Sequence, residues 1–180
     1  MEHTMNADEL KARQAPLKDT YRREPRIAQW TLKAGGSLDI AQQTCRLETK
    51  HGVVVAGLHP ATGGSGKDAC SGDILLESLA ACAGVTLSAV ATAMGIPIRS
   101  ANVVVEGDLD FRGTLGVDKS VPVGFSGIRL RFAVDSDADE AALASLLKLT
   151  ERYCVIFQTL RQPGQLSASI ERHDESTGKP

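Results

Sequence analysis

The chain has 180 residues, of which 42% are hydrophobic and 23% are charged, and its formal net charge is −2. This length and composition predict one globular domain with enough apolar material for a core, and they exclude a wholly disordered chain. The absence of a basic excess and an aromatic content of only 4% argue against a nucleic-acid-binding surface.

Neither a signal peptide nor a membrane span is expected. The amino-terminal segment is charged and has no apolar run before a cleavage site. The most apolar stretch, from Ile74 to Ile98, is interrupted by Glu77, by several Ser and Thr residues and by Pro97. Four cysteines without a Cys-x-x-Cys pair are too sparse for a disulfide scaffold, so we expect a protein of the reducing cytoplasm.

The first half of the chain changes from a polar arm to short strands. Residues 1–26 are predicted to form a helical arm, capped by Asn6 or Asp8 and interrupted by Pro16 and Pro25. Alternating apolar residues then predict three strands, within 27–34, 38–49 and 53–58. The glycine-containing turns between them favour an antiparallel meander.

The clearest helix runs from Ile74 to Met94 and follows a glycine-rich loop. Five residues recur with helical spacing and define one stripe, namely Leu75, Leu79, Cys82, Thr86 and Val90. Four further residues widen it: Leu76, Ala80, Ala83 and Leu87. Ser71 or Asp73 is the predicted N-cap, and Gly95 is the predicted end. The alanine-rich middle of this helix would let another backbone approach closely.

The second half predicts two more strands and a second helix. Strands are expected over 98–111, with a slip near Gly107, and over 128–134. A helix follows Asp137 or Asp139 and reaches Tyr153, and residues 154–160 either continue it or form a new short helix. A last strand is predicted over 165–172, and residues 173–180 are expected to be a flexible tail. Because strands come in runs instead of alternating with helices, the predicted fold class is α+β.

Several common site motifs are absent or incomplete. Residues 64–69 match the Gly-x-Gly-x-x-Ala pattern of dinucleotide loops, but the surrounding order of elements is not βαβ. The four histidines lack metal-ligand spacing, and no Gly-x-Ser-x-Gly elbow is present. We therefore predict no metal and no cofactor.

The four cysteines fall in different contexts. Cys45 lies on a predicted strand and is expected to be a small buried hydrophobe, whereas Cys70 lies in the loop before the main helix. Cys82 is on the inward stripe of that helix, and Cys154 is at the break of the second helix. From the residues alone, each cysteine can be structural or reactive.

Two segments resemble the signatures of the OsmC/Ohr family. The first is Ser71–Cys82, Ser-Gly-Asp-Ile-Leu-Leu-Glu-Ser-Leu-Ala-Ala-Cys, which is continued by Val85-Thr86-Leu87. The second is Arg152–Leu160, in which a cysteine follows an aromatic residue and precedes small apolar residues and Thr-Leu. Both segments occur in the family's order, and the pattern of strands and helices agrees over about 27–172.

The resemblance implies an OsmC-like domain at 27–172, built as an intertwined homodimer with the central helices packed between antiparallel sheets. It implies a thiol-dependent organic hydroperoxide reductase, of peroxiredoxin-type activity, that acts in oxidative-stress defence. Cys82 would be the peroxidatic cysteine and Cys154 the resolving one. The small-molecule partners would be a hydroperoxide and a thiol or dithiol reductant.

The sequence departs from the family pattern at three positions. Ser37 follows the paired glycines where the hydroperoxide reductases have an arginine, Gly72 stands where a glutamate precedes the first cysteine by ten residues, and Val155 replaces the proline after the second cysteine. Asp73 either substitutes for the glutamate or only caps the helix. Because Cys82 lies in the middle of a helix, that helix's own N-terminus gives it little help. We therefore expect a basic partner from elsewhere to lower its pKa.

Two hypotheses follow. In the first, the chain is a cysteine-based peroxidase that uses Cys82 and Cys154, and it belongs to the less characterised OsmC-like branch. In the second, it is a non-enzymatic OsmC-like dimer that binds a small apolar ligand between its sheets and helices, with both cysteines merely buried.

Overall fold

A computed structural model describes residues 5–172, which form two β-sheets and five α-helices. The α+β class is confirmed. The predicted tail at 173–180, together with His3 and His173, lies outside the described residues.

The amino-terminal helix α1, Ala7–Arg23, begins with a reciprocal capping box. The Asn6 side chain accepts from the Glu9 N–H at 3.0 Å, and the Glu9 carboxylate accepts from the Asn6 N–H at 3.1 Å. Pro16 lies inside the helix and does not end it, contrary to prediction. Helix α1 packs against the central helix.

The strand predicted within 27–34 is wrong. A 3₁₀ turn at Pro25–Ala28 is followed by an irregular segment in which Trp30 is 79% and Leu32 is 90% exposed. Alternating apolar residues form a strand only where a neighbouring strand offers hydrogen bonds and a covering layer offers packing, and residues 5–172 supply neither to that segment.

The meander predicted from the following residues is present, with one strand divided. Residues 38–49 form a hairpin instead of one strand: β1 is Gly36–Asp39, and β2 is Thr44–Thr49. Strand β3, Gly52–Gly57, pairs antiparallel with β2. A two-residue strand that was not predicted, β4 at Ala69–Cys70, adds in parallel to β3.

The central helix α2, Ser71–Met94, packs on α1, on the second sheet and on the two last helices. Its N-cap residue is Cys70, one position before the predicted Ser71, and Gly95 ends it with φ +66°. Its fully buried stripe is Leu79, Ala83, Leu87 and Ala91. Leu79, Ala83 and Leu87 belong to the predicted stripe as widened, whereas Cys82 is only half-buried and lies at the edge of the buried face.

Helix α2 is long and apolar enough to cross a membrane by length and composition, contrary to the expectation from Glu77 and its polar residues. The core helix of a globular protein meets the same criterion. Only 28% of its most apolar window is buried within the chain, so much of this apolar helix lacks a covering layer in the single chain.

The second sheet pairs β5, Ser100–Asp108, with β6, Gly127–Asp135, in antiparallel register. Gly107 opposes Ile128 without a slip, so the predicted irregularity is wrong. A Cβ on Gly107 would lie 2.5 Å from the Phe125 ring, and the glycine therefore leaves room for that ring. The outer face carries ion pairs of Glu106 with Arg129 and with Arg131.

The helix capped by Asp139 is α4, Glu140–Tyr153. It ends at Cys154, and a separate short helix, α5, spans Val155–Arg161, which settles the alternative left open by the sequence. A further four-residue helix, α3 at Phe111–Thr114, lies in the connection between β5 and β6. The strand predicted at 165–172 is not formed, and its apolar residues Leu166 and Ile170 are both 98% exposed.

We predict that Leu146→Ala lowers the free energy of unfolding by about 2–4 kcal/mol, because it opens a cavity beside the buried stripe of α2. Leu146 is 2% exposed and packs with Leu87 and Ala91. Lys148→Ala, at an exposed position of the same helix, is the matched control and is expected to change stability by less than about 0.5 kcal/mol. Urea unfolding measures both, and equal effects would contradict this packing arrangement.

Candidate active site

The structure brings Cys82 and Cys154 together, although 72 positions separate them in sequence. Cys82 lies in the middle of α2, and Cys154 is the residue between α4 and α5. Cys82 packs against the buried cluster that Cys154 forms with Leu79 and Ala83. All four cysteines are free thiols.

Cys154 is the C-cap of α4 and also the N-cap of α5. Its N–H donates to the Thr150 carbonyl at 2.9 Å, and its Sγ accepts from the Phe157 N–H at 3.5 Å. With φ −73° and ψ 109° it leaves the helical region, so the chain turns and a new helix amino end forms beside it. Cys154 is fully buried, in contact with Leu79 and Ala83.

The new helix end points at the Cys82 sulfur. Burial alone would raise the pKa of the Cys82 thiol, but hydrogen bonds from the Ile156 N–H, the Cys154 thiol, the Val155 N–H and the Thr86 hydroxyl together lower it. The first N–H groups of a helix have no partner within that helix. A thiolate that accepts hydrogen bonds from these N–H groups is also stabilised by the positive end of the helix dipole, which lowers the pKa of the thiol.

This arrangement replaces the basic partner expected from the sequence. Hydrogen bonds from α5 and from two side chains lower the Cys82 pKa. Arg46, the strand arginine nearest in sequence, is exposed on β2. Asp73 lies nine residues before Cys82 on the same helix, about 14 Å along its axis, so within one chain it does not reach the thiol in place of the family glutamate.

The two thiols are electrostatically unequal. Burial raises the pKa of Cys154; the Phe157 N–H counteracts it, and the neighbouring Cys82 sulfur raises it further. Cys82 is therefore the group that ionises first, and Cys154 remains a protonated thiol beside it. This is the order needed for a nucleophile with an adjacent thiol that condenses after it.

The sequence pattern did not identify the groups that lower the pKa of Cys82. The sequence pattern assigns Thr86 only to the apolar stripe, but its hydroxyl donates to the Cys82 carbonyl at 2.7 Å and contributes to the lowered pKa of Cys82. Its spacing of four residues from Cys82 was the available signal. The Val155 and Ile156 amides carry no side-chain signal, since only the helix break at Cys154 exposes them.

The remaining cysteines lie apart from this pair. Cys45 is half-buried on β2 opposite Leu38 and Ala56, and Cys70 is half-buried at the start of α2. Within residues 5–172, no three side chains of metal-binding type come together.

We predict that Cys82 reacts with iodoacetamide with a pH midpoint below the value of about 8.5 typical of a free cysteine. The thiolate is the reactive form, so the rate rises as pH passes the lowered pKa. The same lowered pKa stabilises the fold above the unfolded value, and this contribution is lost as pH falls through the folded value. Peptide-resolved mass spectrometry of native and urea-unfolded chains measures the shift, and equal midpoints would contradict it.

Comparison with known proteins supports one family throughout. The profile described as "OsmC-like protein" matches residues 64–168. No curated protein matches the sequence at a significant level.

Solved structures share the fold at low sequence identity. An OsmC-like protein from Mycoplasma pneumoniae is 19% identical, with a TM-score of 0.62 over 75% of this chain and 90% of its own. An organic hydroperoxide resistance protein from Elizabethkingia anophelis is 12% identical, with a TM-score of 0.60 over 75% and 92%. One from Legionella pneumophila is 16% identical, with a TM-score of 0.57 over 74% and 93%. The segment that matches the family profile covers more than half of the chain and includes both Cys82 and Cys154. The chain therefore belongs to the OsmC-like protein family.

Proposed function

We propose that the protein is a thiol-dependent organic hydroperoxide reductase, with Cys82 as the peroxidatic and Cys154 as the resolving cysteine. The observation that carries the proposal is the contact between a thiol whose pKa is lowered and a buried thiol whose pKa is raised. Two of the structural relatives are organic hydroperoxide resistance proteins, which supports the same chemistry.

The proposed reaction has three balanced steps. The Cys82 thiolate attacks the distal peroxide oxygen, the O–O bond breaks, and the organic alkoxide leaves and takes up a proton as an alcohol. The Cys154 thiol then condenses with the Cys82 sulfenic acid, forming the disulfide and releasing water. A dithiol reductant restores both thiols by exchange and is itself oxidised to a disulfide.

Apolar surroundings favour an organic peroxide over hydrogen peroxide. Around the thiol pair lie apolar side chains of α2, α5 and the second sheet: Leu79, Ile128, Leu130, Phe157 and Leu160. All five also line a cavity of about 310 Å³, whose rim includes Arg161. Burying the hydrocarbon group of an organic peroxide against these side chains is favourable, because it removes apolar surface from water. Hydrogen peroxide has no apolar surface to bury.

A second candidate function is the binding of a small apolar ligand without catalysis. A cavity of about 570 Å³ between α4 and β6 favours it. The cavity is lined mainly by aliphatic and aromatic side chains, including Leu87, Phe132, Leu143 and Leu147. In this alternative both cysteines are structural, and no peroxide turnover is expected.

We further propose that the active form is a cytoplasmic homodimer. The chain exposes 14650 Å², whereas a compact monomer of its mass exposes roughly 8,400 Å². Apolar side chains on α2 and on the two irregular segments account for part of the excess: Trp30, Leu32, Val85, Leu166 and Ile170. A second copy that covers them would bury α2 at the centre of the dimer. The boundaries 1–26, 27–172 and 173–180 complete the proposed domain organisation.

The peroxidase proposal predicts that Cys82→Ser abolishes the consumption of cumene hydroperoxide with dithiothreitol. Cys154→Ser should leave a Cys82 sulfenic acid that reacts with dimedone, because the resolving thiol is missing. One equivalent of peroxide should remove two free thiols from the wild type and join residues 82 and 154, as seen by peptide mapping.

Cys70→Ser and Cys45→Ser are the matched controls and are expected to keep the activity. A disulfide that instead involves Cys70 or Cys45, or a folded wild type whose Cys82 stays unmodified, would contradict the proposal. Tight binding of a fluorescent fatty acid by such an inactive chain would favour the ligand-binding alternative.

The dimer proposal predicts a mass twice that of the 19.1 kDa chain in light scattering. Val85 is 72% exposed in the middle of α2, and Val85→Glu would place a charge in the proposed interface, so the variant should dissociate. Ala133→Glu lies on the charged outer face of β6 and should leave the mass unchanged. A monomeric wild type at micromolar concentration would refute the dimer.

A further inference from the structure

The amino end of α5 is held in place by a side chain outside the thiol pair. Gln158 lies in the first turn of α5, and its Nε2 donates to the Glu151 carbonyl in the last turn of α4 at 2.7 Å. The bond spans seven residues and crosses the helix break at Cys154. It is partly buried, which protects it from competition with water.

This bond satisfies a group that the helix break would otherwise leave without a partner. The last four carbonyl groups of a helix find no N–H donor within that helix, so they need donors from elsewhere. In α4, the Thr150 carbonyl accepts from the Cys154 N–H, and the Glu151 carbonyl accepts from Gln158. The Gln158 N–H in turn donates to the Cys154 carbonyl at 3.0 Å. The Gln158 side chain therefore joins α5 to α4, while its N–H makes the first hydrogen bond within α5.

The orientation of α5 relative to α4 decides where the amide groups at its start point. The Phe157 N–H donates to the Cys154 sulfur at 3.5 Å, and Cys82 and Ile156 both pack on the cluster that contains Cys154. The Val155 and Ile156 N–H groups of the same helix end lower the pKa of Cys82. A hydrogen bond weakens steeply when its angle departs from linear. A small rotation of a seven-residue helix about the break would therefore misalign these donors.

We propose that Gln158 is a positioning residue for the Cys82 thiol, because its side chain fastens α5 to the end of α4 and thereby fixes the Val155 and Ile156 N–H groups on the sulfur. Gln158 does not touch the reacting atoms in this role. The inference rests on the proposed function in one respect only, namely that Cys82 is the thiol whose reactivity matters.

Gln158→Met tests the proposal, since methionine keeps the length and helix propensity of glutamine but removes the donor. The pH midpoint of Cys82 alkylation should rise by about half to one unit, which at pH 7 makes alkylation about three- to tenfold slower. Gln162→Met is the matched control, because Gln162 is the exposed C-cap of the same helix and its side chain donates no hydrogen bond to any residue within 5–172. Its midpoint should stay that of the wild type.

Gln158→Glu is the second variant, in case Gln158→Met does not fold. The carboxylate has the same shape but no proton to donate at pH 7, and the midpoint should again rise. Gln162→Glu controls for the added charge. A merely structural role would lower the melting temperature without moving the midpoint, so an unchanged midpoint in a folded Gln158 variant overturns the proposal.

A measurement on the wild type needs no variant. The Val155, Ile156 and Phe157 amides should be protected from hydrogen exchange in the reduced protein, and absence of protection would show that this helix end is not held. All these readouts are taken without peroxide. If the Gln158 variants raise the midpoint of Cys82 alkylation but the wild type consumes no peroxide, the peroxidase proposal is refuted and the role of Gln158 stands. If the wild type consumes peroxide but the variants leave the midpoint unchanged, only the role of Gln158 is refuted.

Discussion

The environment of the Cys82 thiol depends on one helix break. If α4 continued through Cys154, the Val155 and Ile156 N–H groups would be bonded within that helix and unavailable to any other acceptor. Because the chain leaves the helical region at Cys154, three amides at the start of α5 become free. The Phe157 N–H donates to the Cys154 sulfur, and the Val155 and Ile156 N–H groups lower the pKa of Cys82. One residue thus supplies a thiol, ends one helix and opens another toward Cys82.

This constraint separates the roles of two identical side chains. Each sulfur is surrounded mainly by apolar groups, and that environment by itself would raise both pKa values. Cys82 receives enough hydrogen bonds to reverse the effect, and Cys154 does not. The difference arises from backbone direction, which explains how the chain can lower a thiol pKa without an arginine after Gly35-Gly36.

The single chain leaves much of its apolar surface uncovered, and the same residues lie in the two segments, 27–34 and 165–172, where the predicted strands do not form. The irregular segments that carry Trp30 and Ile170 have the alternating pattern of strands but no partner strand among the residues that the structure describes. Whether such a pattern becomes a strand depends on what lies beside it. The slip predicted near Gly107 does not occur, and the reason is related. Only the packed structure shows that the Phe125 ring fills the space that a side chain at position 107 would need.

The sequence by itself determined the α+β class, the central helix with its end at Gly95 and the strands around Val54, Val105 and Leu130, because local periodicity and turn residues report which face of an element is buried. It also singled out Cys82 and Cys154 through two signature segments. Only the tertiary structure decided that the two thiols meet, that Cys82 lies at the edge of the buried stripe and that backbone amides replace a basic partner. Contacts between residues far apart in sequence, and the directions of N–H groups, leave no periodic trace in the order of the side chains, and so they emerge only when the helices pack.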